Sequence, residues 1–140
     1  MGGVSDSWVV PLVQVLIVDD QEPFRRAAAA VVAATDGFVV VGEVDSAERC
    51  LAALVDGGSP APVRADLVLM DVNMPGMDGL ECTRRLLAAR EDLAVVLLST
   101  YDEDELGELA RECGATAYIP KSAFEPDRLE QAWGTAAPTR

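Results

Sequence analysis

The stretch Leu67-Val68-Leu69-Met70-Asp71-Val72-Asn73-Met74-Pro75-Gly76-Met77-Asp78-Gly79 decides the fold of this 140-residue chain. Four apolar residues run without polar alternation straight into a carboxylate, the pattern of a strand covered on both faces. Pro75 and Gly76 then force a tight loop. From about Gly79 to Arg90, Leu80, Thr83 and Leu87 recur on one helical stripe. The unit is strand, loop, helix, with an acid at the carboxyl end of the strand.

The same grammar repeats on either side. Apolar runs Val13–Val18, Phe38–Val44, Ala94–Leu98 and Thr116–Ile119 supply four more strands. Pro23 suits a first helical turn, and Phe24, Ala27, Ala28 and Val31 form the apolar stripe of a helix that stops at Asp36-Gly37. Ser46 is a natural N-cap for a second helix with Leu51, Leu54 and Val55 inward, ended by the breaker-rich loop from Gly57 to Pro62. A fourth opens on Asp102-Glu103-Asp104-Glu105, charges that the helix dipole favours at that end, and closes at Gly114. A fifth starts near Pro126 and carries Leu129 and Trp133. Five strand–helix units predict an α/β three-layer sandwich. Right-handed crossovers favour the flavodoxin-like arrangement, a five-stranded parallel sheet in the order 2-1-3-4-5 with five helices. Residues 11–134 are expected to form one domain, preceded by an extension over 1–10 and followed by a loose tail over 135–140.

Composition excludes several functions. Half the residues are hydrophobic, about 70 side chains, enough for one core. With 11 basic against 24 acidic residues the net charge is −13, so nucleic acid is repelled unless a basic patch is segregated, and no basic run exists. Arg25-Arg26 and Arg84-Arg85 read as solvated helix faces. The absence of histidine removes histidine bases and most zinc sites. Cys50, Cys82 and Cys113 are widely separated and odd in number, which points to small buried apolar side chains in a reducing compartment. The apolar stretch Trp8–Val18 is broken by Pro11 and Gln14 and is too short to span a bilayer. It lacks the features of a signal peptide. A cytoplasmic protein is expected.

Polar residues interrupt the pattern where strands end. Asp19 and Asp20 follow the first strand, Asp71 ends the third, Ser99 and Thr100 the fourth, and Lys121 follows the fifth. Open α/β sheets bind ligands at this edge. In the order 2-1-3-4-5, strands 1, 3, 4 and 5 are consecutive and about 4.8 Å apart, so these groups are expected to converge. Three carboxylates that close raise one another's pKa, and a hard cation such as Mg²⁺, with its preference for oxygen, resolves the repulsion. One carboxylate is then free to act as a nucleophile toward phosphorus.

Leu16-Ile17-Val18-Asp19-Asp20-Gln21-Glu22-Pro23 resembles the first strand of a response-regulator receiver domain of the CheY-like kind, and the Leu67–Gly79 stretch resembles that family's phosphoacceptor segment. Val95 to Thr100 and Ala117-Tyr118-Ile119-Pro120-Lys121 are similar to its switch hydroxyl, switch aromatic and lysine. The resemblance spans residue 13 to about 133. It also implies the strand order used above, so the two are not independent. It implies that Asp71 is phosphorylated, and that Asp20, Asp71 and the backbone carbonyl of Asn73 ligate Mg²⁺ while Asp19 acts mainly through a metal-bound water. Ser99, the backbone N–H of Thr100, and Lys121 would hold phosphoryl oxygens. Tyr118 would turn inward as Ser99 moves, changing the face of the fourth helix, fifth strand and fifth helix. The implied partners are a histidine kinase as phosphodonor, a DNA-binding output domain outside this chain, and a second copy on activation. Nucleic acid and membrane are not among them. Ser122 stands where many members carry proline after the lysine, which resembles the subgroup that precedes a helix-turn-helix domain.

Taken singly, each residue has a plainer reading. Asp19-Asp20 fits a turn, Ser99-Thr100 a strand end, and Lys121 a surface charge. Tyr118 fits a core position with its hydroxyl at the rim. Their conjunction at five strand ends or loops defeats those readings. Ten arginines and a single lysine also make the placement of Lys121 improbable by chance. The competing function is a Mg²⁺-dependent phosphohydrolase that forms an aspartyl phosphate. The haloacid-dehalogenase type of that chemistry needs D-x-D after the first strand, where this chain has Asp19-Asp20-Gln21. A calcium loop at Asp71 fails because Pro75 and Cys82 occupy ligand positions. A nucleotide-binding fingerprint after the first strand is missing. Tyr101, two residues after Ser99, is expected to influence how fast phosphate is lost.

Overall fold

The computed structural model describes residues 12–55 and 64–136. The Gly57–Pro62 loop and the extension over 1–10 lie outside the described residues. In chain order the elements are β1 (Val13–Val18), α1 (Glu22–Ala33), β2 (Phe38–Val44), α2 (Ala47–Leu54), β3 (Leu67–Asp71), α3 (Gly79–Ala89), β4 (Ala94–Ser99), α4 (Glu103–Cys113), β5 (Ala117–Pro120) and α5 (Pro126–Ala136), with a 3₁₀ turn at Lys121–Ala123. All pairings are parallel and the order is β2-β1-β3-β4-β5. The expected flavodoxin-like sheet with five helices is the observed one.

Side-chain alternation splits each central strand between two cores. Leu16, Val18, Val68, Met70, Val95 and Leu97 face one layer, which Cys50, Leu54, Cys82, Leu86, Leu106 and Ala110 complete. Val15, Ile17, Leu67, Leu69, Val96, Leu98 and Ile119 face the other, closed by Ala28, Val32, Leu129 and Ala132. Helices α2, α3 and α4 therefore cover one face, and α1 and α5 the other. All three cysteines are free and buried. No helix among the described residues is long and apolar enough to cross a membrane.

Helix ends follow local chemistry. The side chains of Ser46, Asp78 and Asp102 accept hydrogen bonds from the backbone N–H groups of Arg49, Glu81 and Glu105. Gly114 closes α4 at φ +87°, a left-handed conformation that costs glycine least.

Helix faces differ from expectation in rotation. In α1 the buried residues are Ala28 and Val32, with Phe24 partly buried and Ala27 exposed. The run Ala27–Ala30 offers no polar contrast that could fix the face. In α2 the innermost residues are Ala47, Cys50 and Leu54, and in α3 they are Gly79, Cys82, Thr83 and Leu86. Leu51, Leu80 and Leu87 are only partly buried, because Ala47, Cys50 and Leu54 in α2 and Gly79, Cys82, Thr83 and Leu86 in α3 take the positions against the sheet. Strand β5 sits one residue later than the apolar run suggests. It ends on Pro120, tolerable at an edge where no further strand needs its missing N–H. Helix α5 continues two residues beyond the expected boundary at 134.

Candidate functional site

Parallel register brings the strand ends together. Asp71 of β3 pairs with Leu98 of β4, and Ser99 pairs with Pro120 of β5, directly before Lys121. Asp19 follows β1, the other neighbour of β3. One carboxylate oxygen each from Asp19, Asp20 and Asp71 lies within 4.8 Å of the others. Asp19 and Asp71 are buried, while Asp20 is exposed at the mouth. Lys121 Nζ is 2.7 Å from Asp19 Oδ2 and 3.3 Å from Asp71 Oδ1, and 4.4 Å from the centroid of the Phe24 ring, which shields one side of the ammonium.

Electrostatics set the character of this pocket. Burial is the main force pushing the Asp71 carboxyl up to about 6. Repulsion from Asp19 adds to it, and the attraction of Lys121 only partly offsets both. For Lys121, burial disfavours the charged form, but the hydrogen bond and charge of Asp19, with those of Asp71, reverse this and leave its pKa above the usual lysine value. One ammonium against three carboxylates leaves excess negative charge at the site. The all-oxygen donor set suits a hard divalent cation such as Mg²⁺.

Asp19 is held at every polar atom. Its N–H donates to Val44 O at 3.1 Å. Its Oδ1 accepts from the Gln21 N–H at 2.8 Å, and its carbonyl accepts from Arg25 Nη1 at 2.7 Å. Close approach of α3 completes the floor. The Gly79 N–H donates to Val72 O at 2.9 Å, and a Cβ at Gly79 would stand 2.0 Å from the Asp71 carbonyl oxygen. Only glycine fits there.

Ser99 is buried, and its Oγ accepts from the Tyr101 N–H at 3.1 Å. Ser99 and the exposed Thr100 line an open cleft of about 440 Å³ together with Tyr101, Pro120 and Ser122. Tyr101 Oη donates to Asn73 Oδ1 at 3.4 Å, linking the loops after β3 and β4. Tyr118 is not brought into the acidic pocket. It alternates with the buried Ile119 onto the opposite face, where its ring packs against Gly107 of α4. A groove of about 380 Å³ there is lined by Tyr118, Asp104, Glu105, Glu108 and Arg111.

Sequence reasoning missed Phe24, Arg25, Gln21 and the steric role of Gly79. By spacing alone the first turn of α1 is an ordinary amphipathic start with a solvated arginine pair. Its direction over the pocket is a tertiary fact that local spacing does not carry.

Comparison with known proteins agrees with this geometry. The profile described as "Response regulator receiver domain" matches residues 15–133. Response regulator GacA of Pseudomonas aeruginosa is 37% identical over 112 residues, which cover 80% of this chain and 50% of that protein. Transcriptional regulatory protein DegU of Brevibacillus brevis is 32% identical over 120 residues, covering 86% and 48%. The chain thus spans about half the length of these relatives. Among solved structures, the signal receiver domain of the response regulator NarL from Mycobacterium tuberculosis superposes with a TM-score of 0.75 at 25% identity, covering 91% of this chain and 98% of that one.

Proposed function

The chain belongs to the response regulator receiver domain family of two-component systems, and we propose that Asp71 is the carboxylate through which it receives a phosphoryl group. The observation that carries this reading is the ammonium of Lys121 beside Asp19 and Asp71, with Asp20 completing a cluster of three carboxylates. A carboxyl raised to about 6 is still mostly ionised at neutral pH, so Asp71 is available as a nucleophile.

Asp20, Asp71 and the backbone carbonyl of Asn73 would hold Mg²⁺ directly, with Asp19 acting through a bound water. When bound, Mg²⁺ supplies positive charge that offsets the charge on the transferring phosphoryl oxygens. An Asp71 oxygen attacks phosphorus as the bond to the donor nitrogen of a histidine kinase's phosphohistidine breaks, and the leaving imidazole takes up a proton. Lys121, the Ser99 hydroxyl and the Thr100 N–H receive the phosphoryl oxygens. Water later attacks the same phosphorus, releasing phosphate and restoring the carboxylate. The shift of Ser99 lets Tyr118 leave its seat on Gly107, so that the face of α4, β5 and α5 changes.

The chain acts in this reading as a cytoplasmic switch whose domain, expected over residues 11–134, is carried by α5 to Ala136. Its output is a DNA-binding domain of a longer regulator or a partner protein, with a homodimer forming on activation. Incubation with Mg²⁺ and acetyl phosphate should add one phosphoryl group by intact mass, and Asp71→Asn should abolish the gain. Equal masses with and without the donor would refute the reading, and sustained turnover of small phosphate esters would favour a phosphohydrolase instead.

A further inference from the structure

Three of the four polar contacts of Asp19 come from expected quarters: the neighbouring strand, its own turn, and Lys121. The fourth does not. Arg25 reaches back from α1 and donates from Nη1 to the Asp19 carbonyl at 2.7 Å, a short charge-assisted hydrogen bond. Its Nε is anchored 3.5 Å from Glu43 Oε1 on β2, and the side chain is only 18% exposed. A solvated helix-face arginine would show neither feature.

The Asp19 carbonyl lies in the same rigid plane as the N–H of Asp20. Fixing the direction of that carbonyl fixes the plane, and with it the Cα of Asp20. The Asp20 carboxylate makes no hydrogen bond or ion pair of its own among the described residues, yet it comes within 4.8 Å of Asp19 and Asp71. Its position is therefore set through its backbone. We propose that Arg25 is a positioning residue of the acidic pocket, presenting Asp20 to a divalent cation by clamping the Asp19–Asp20 peptide. The inference rests on the function proposed above, with Mg²⁺ as the ion.

The sign of the effect separates positioning from charge. A guanidinium beside a cation site repels the ion, so an arginine acting through charge alone would tighten Mg²⁺ binding when removed. An arginine acting through geometry would weaken it, by roughly 10–100-fold for a group that orients a metal ligand. The test is Mg²⁺ titration calorimetry on the full chain, at fixed pH and ionic strength and well below each variant's melting midpoint. Arg25→Ala should weaken binding by that factor, and Arg25→Lys should recover part of it, since an ammonium also donates to a carbonyl. Should Arg25→Ala fail to fold, Arg25→Met retains the packed stem without a donor and carries the same expectation. Affinity equal to or tighter than wild type in the folded non-donor variant overturns the positioning role. Wild type that binds no Mg²⁺ overturns the proposed function itself, and the inference with it, so the two failures are distinct.

Discussion

Lys121 Nζ sits closer to Asp19 Oδ2, at 2.7 Å, than to the proposed phosphoacceptor, at 3.3 Å. The lysine thus pairs first with the carboxylate other than the proposed phosphoacceptor, and restrains Asp71 from the side. Its attraction lowers an Asp71 pKa that burial and Asp19 raise. Lys121→Ala should move that pKa above about 6 while leaving the fold intact, as read from carboxyl carbon shifts during a pH titration. An unchanged titration would show that the ammonium contributes nothing to the pocket. Amide exchange on α4 and β5 should also respond to phosphorylation in wild type and not in the variant.

Asp71 makes stability depend on pH in an uncommon direction. Its pKa goes from 3.8 unfolded to about 6 folded, so between these values the folded state holds a proton that the unfolded chain has released. Stability then falls as pH rises across that interval, and the cost is complete above it. Without Mg²⁺, Asp71→Asn should therefore be more stable than wild type at pH 7.5. The gain should be on the order of 1–2 kcal/mol after allowance for solvent screening, shrinking toward zero below about pH 4. Urea unfolding at both pH values measures the gap, and a gap that widens toward acid contradicts the assignment.

Mg²⁺ should reverse this cost. Saturating metal should raise the melting midpoint at pH 7.5 by mass action and do so less at pH 5, where protons compete for Asp71. Asp20→Ala should weaken binding beyond the roughly 10–100-fold range of outer positioning groups. Wild-type affinity in that variant would remove Asp20 from the ligand set.

Gly79 tests the floor of the pocket sterically. A Cβ there would meet the Asp71 carbonyl oxygen at 2.0 Å and its carbon at 2.9 Å, both backbone atoms with nowhere to move. Gly79→Ala should destabilise by about 3 kcal/mol or more, since overpacking must shift α3 away from β3. Gly134, in α5, is the control, because a Cβ at that position would meet no atom within 4 Å. Its change to alanine should stabilise by up to about 1 kcal/mol through helix propensity. Similar thermal shifts in the two variants would show that the close approach is not constraining.

Much of this was legible in the chain. Strand runs such as Val13–Val18 carry their type in composition, and Ser46, Asp102 and Gly114 mark helix ends through interactions within a few residues. Helix faces were less legible: the alanine run of α1 has no polar side to contrast with, and the close-packing positions of α3 are filled by Gly79, Cys82, Thr83 and Leu86 rather than by Leu80 and Leu87.

By itself, then, the sequence determined the elements, their order, and the presence of carboxylates, a hydroxyl and the lone lysine at successive strand ends. These are local properties, because strand and cap preferences act over a few bonds and parallel crossovers admit few topologies. Only the tertiary structure decided that Lys121 pairs first with Asp19, that Tyr118 rests on Gly107, that the Phe24 ring lies against the Lys121 ammonium, and that Arg25 reaches the Asp19 carbonyl. Those outcomes depend on the twist of the sheet and the rotation of each helix upon it. Both arise from the packing of whole layers, and no local run of residues encodes them.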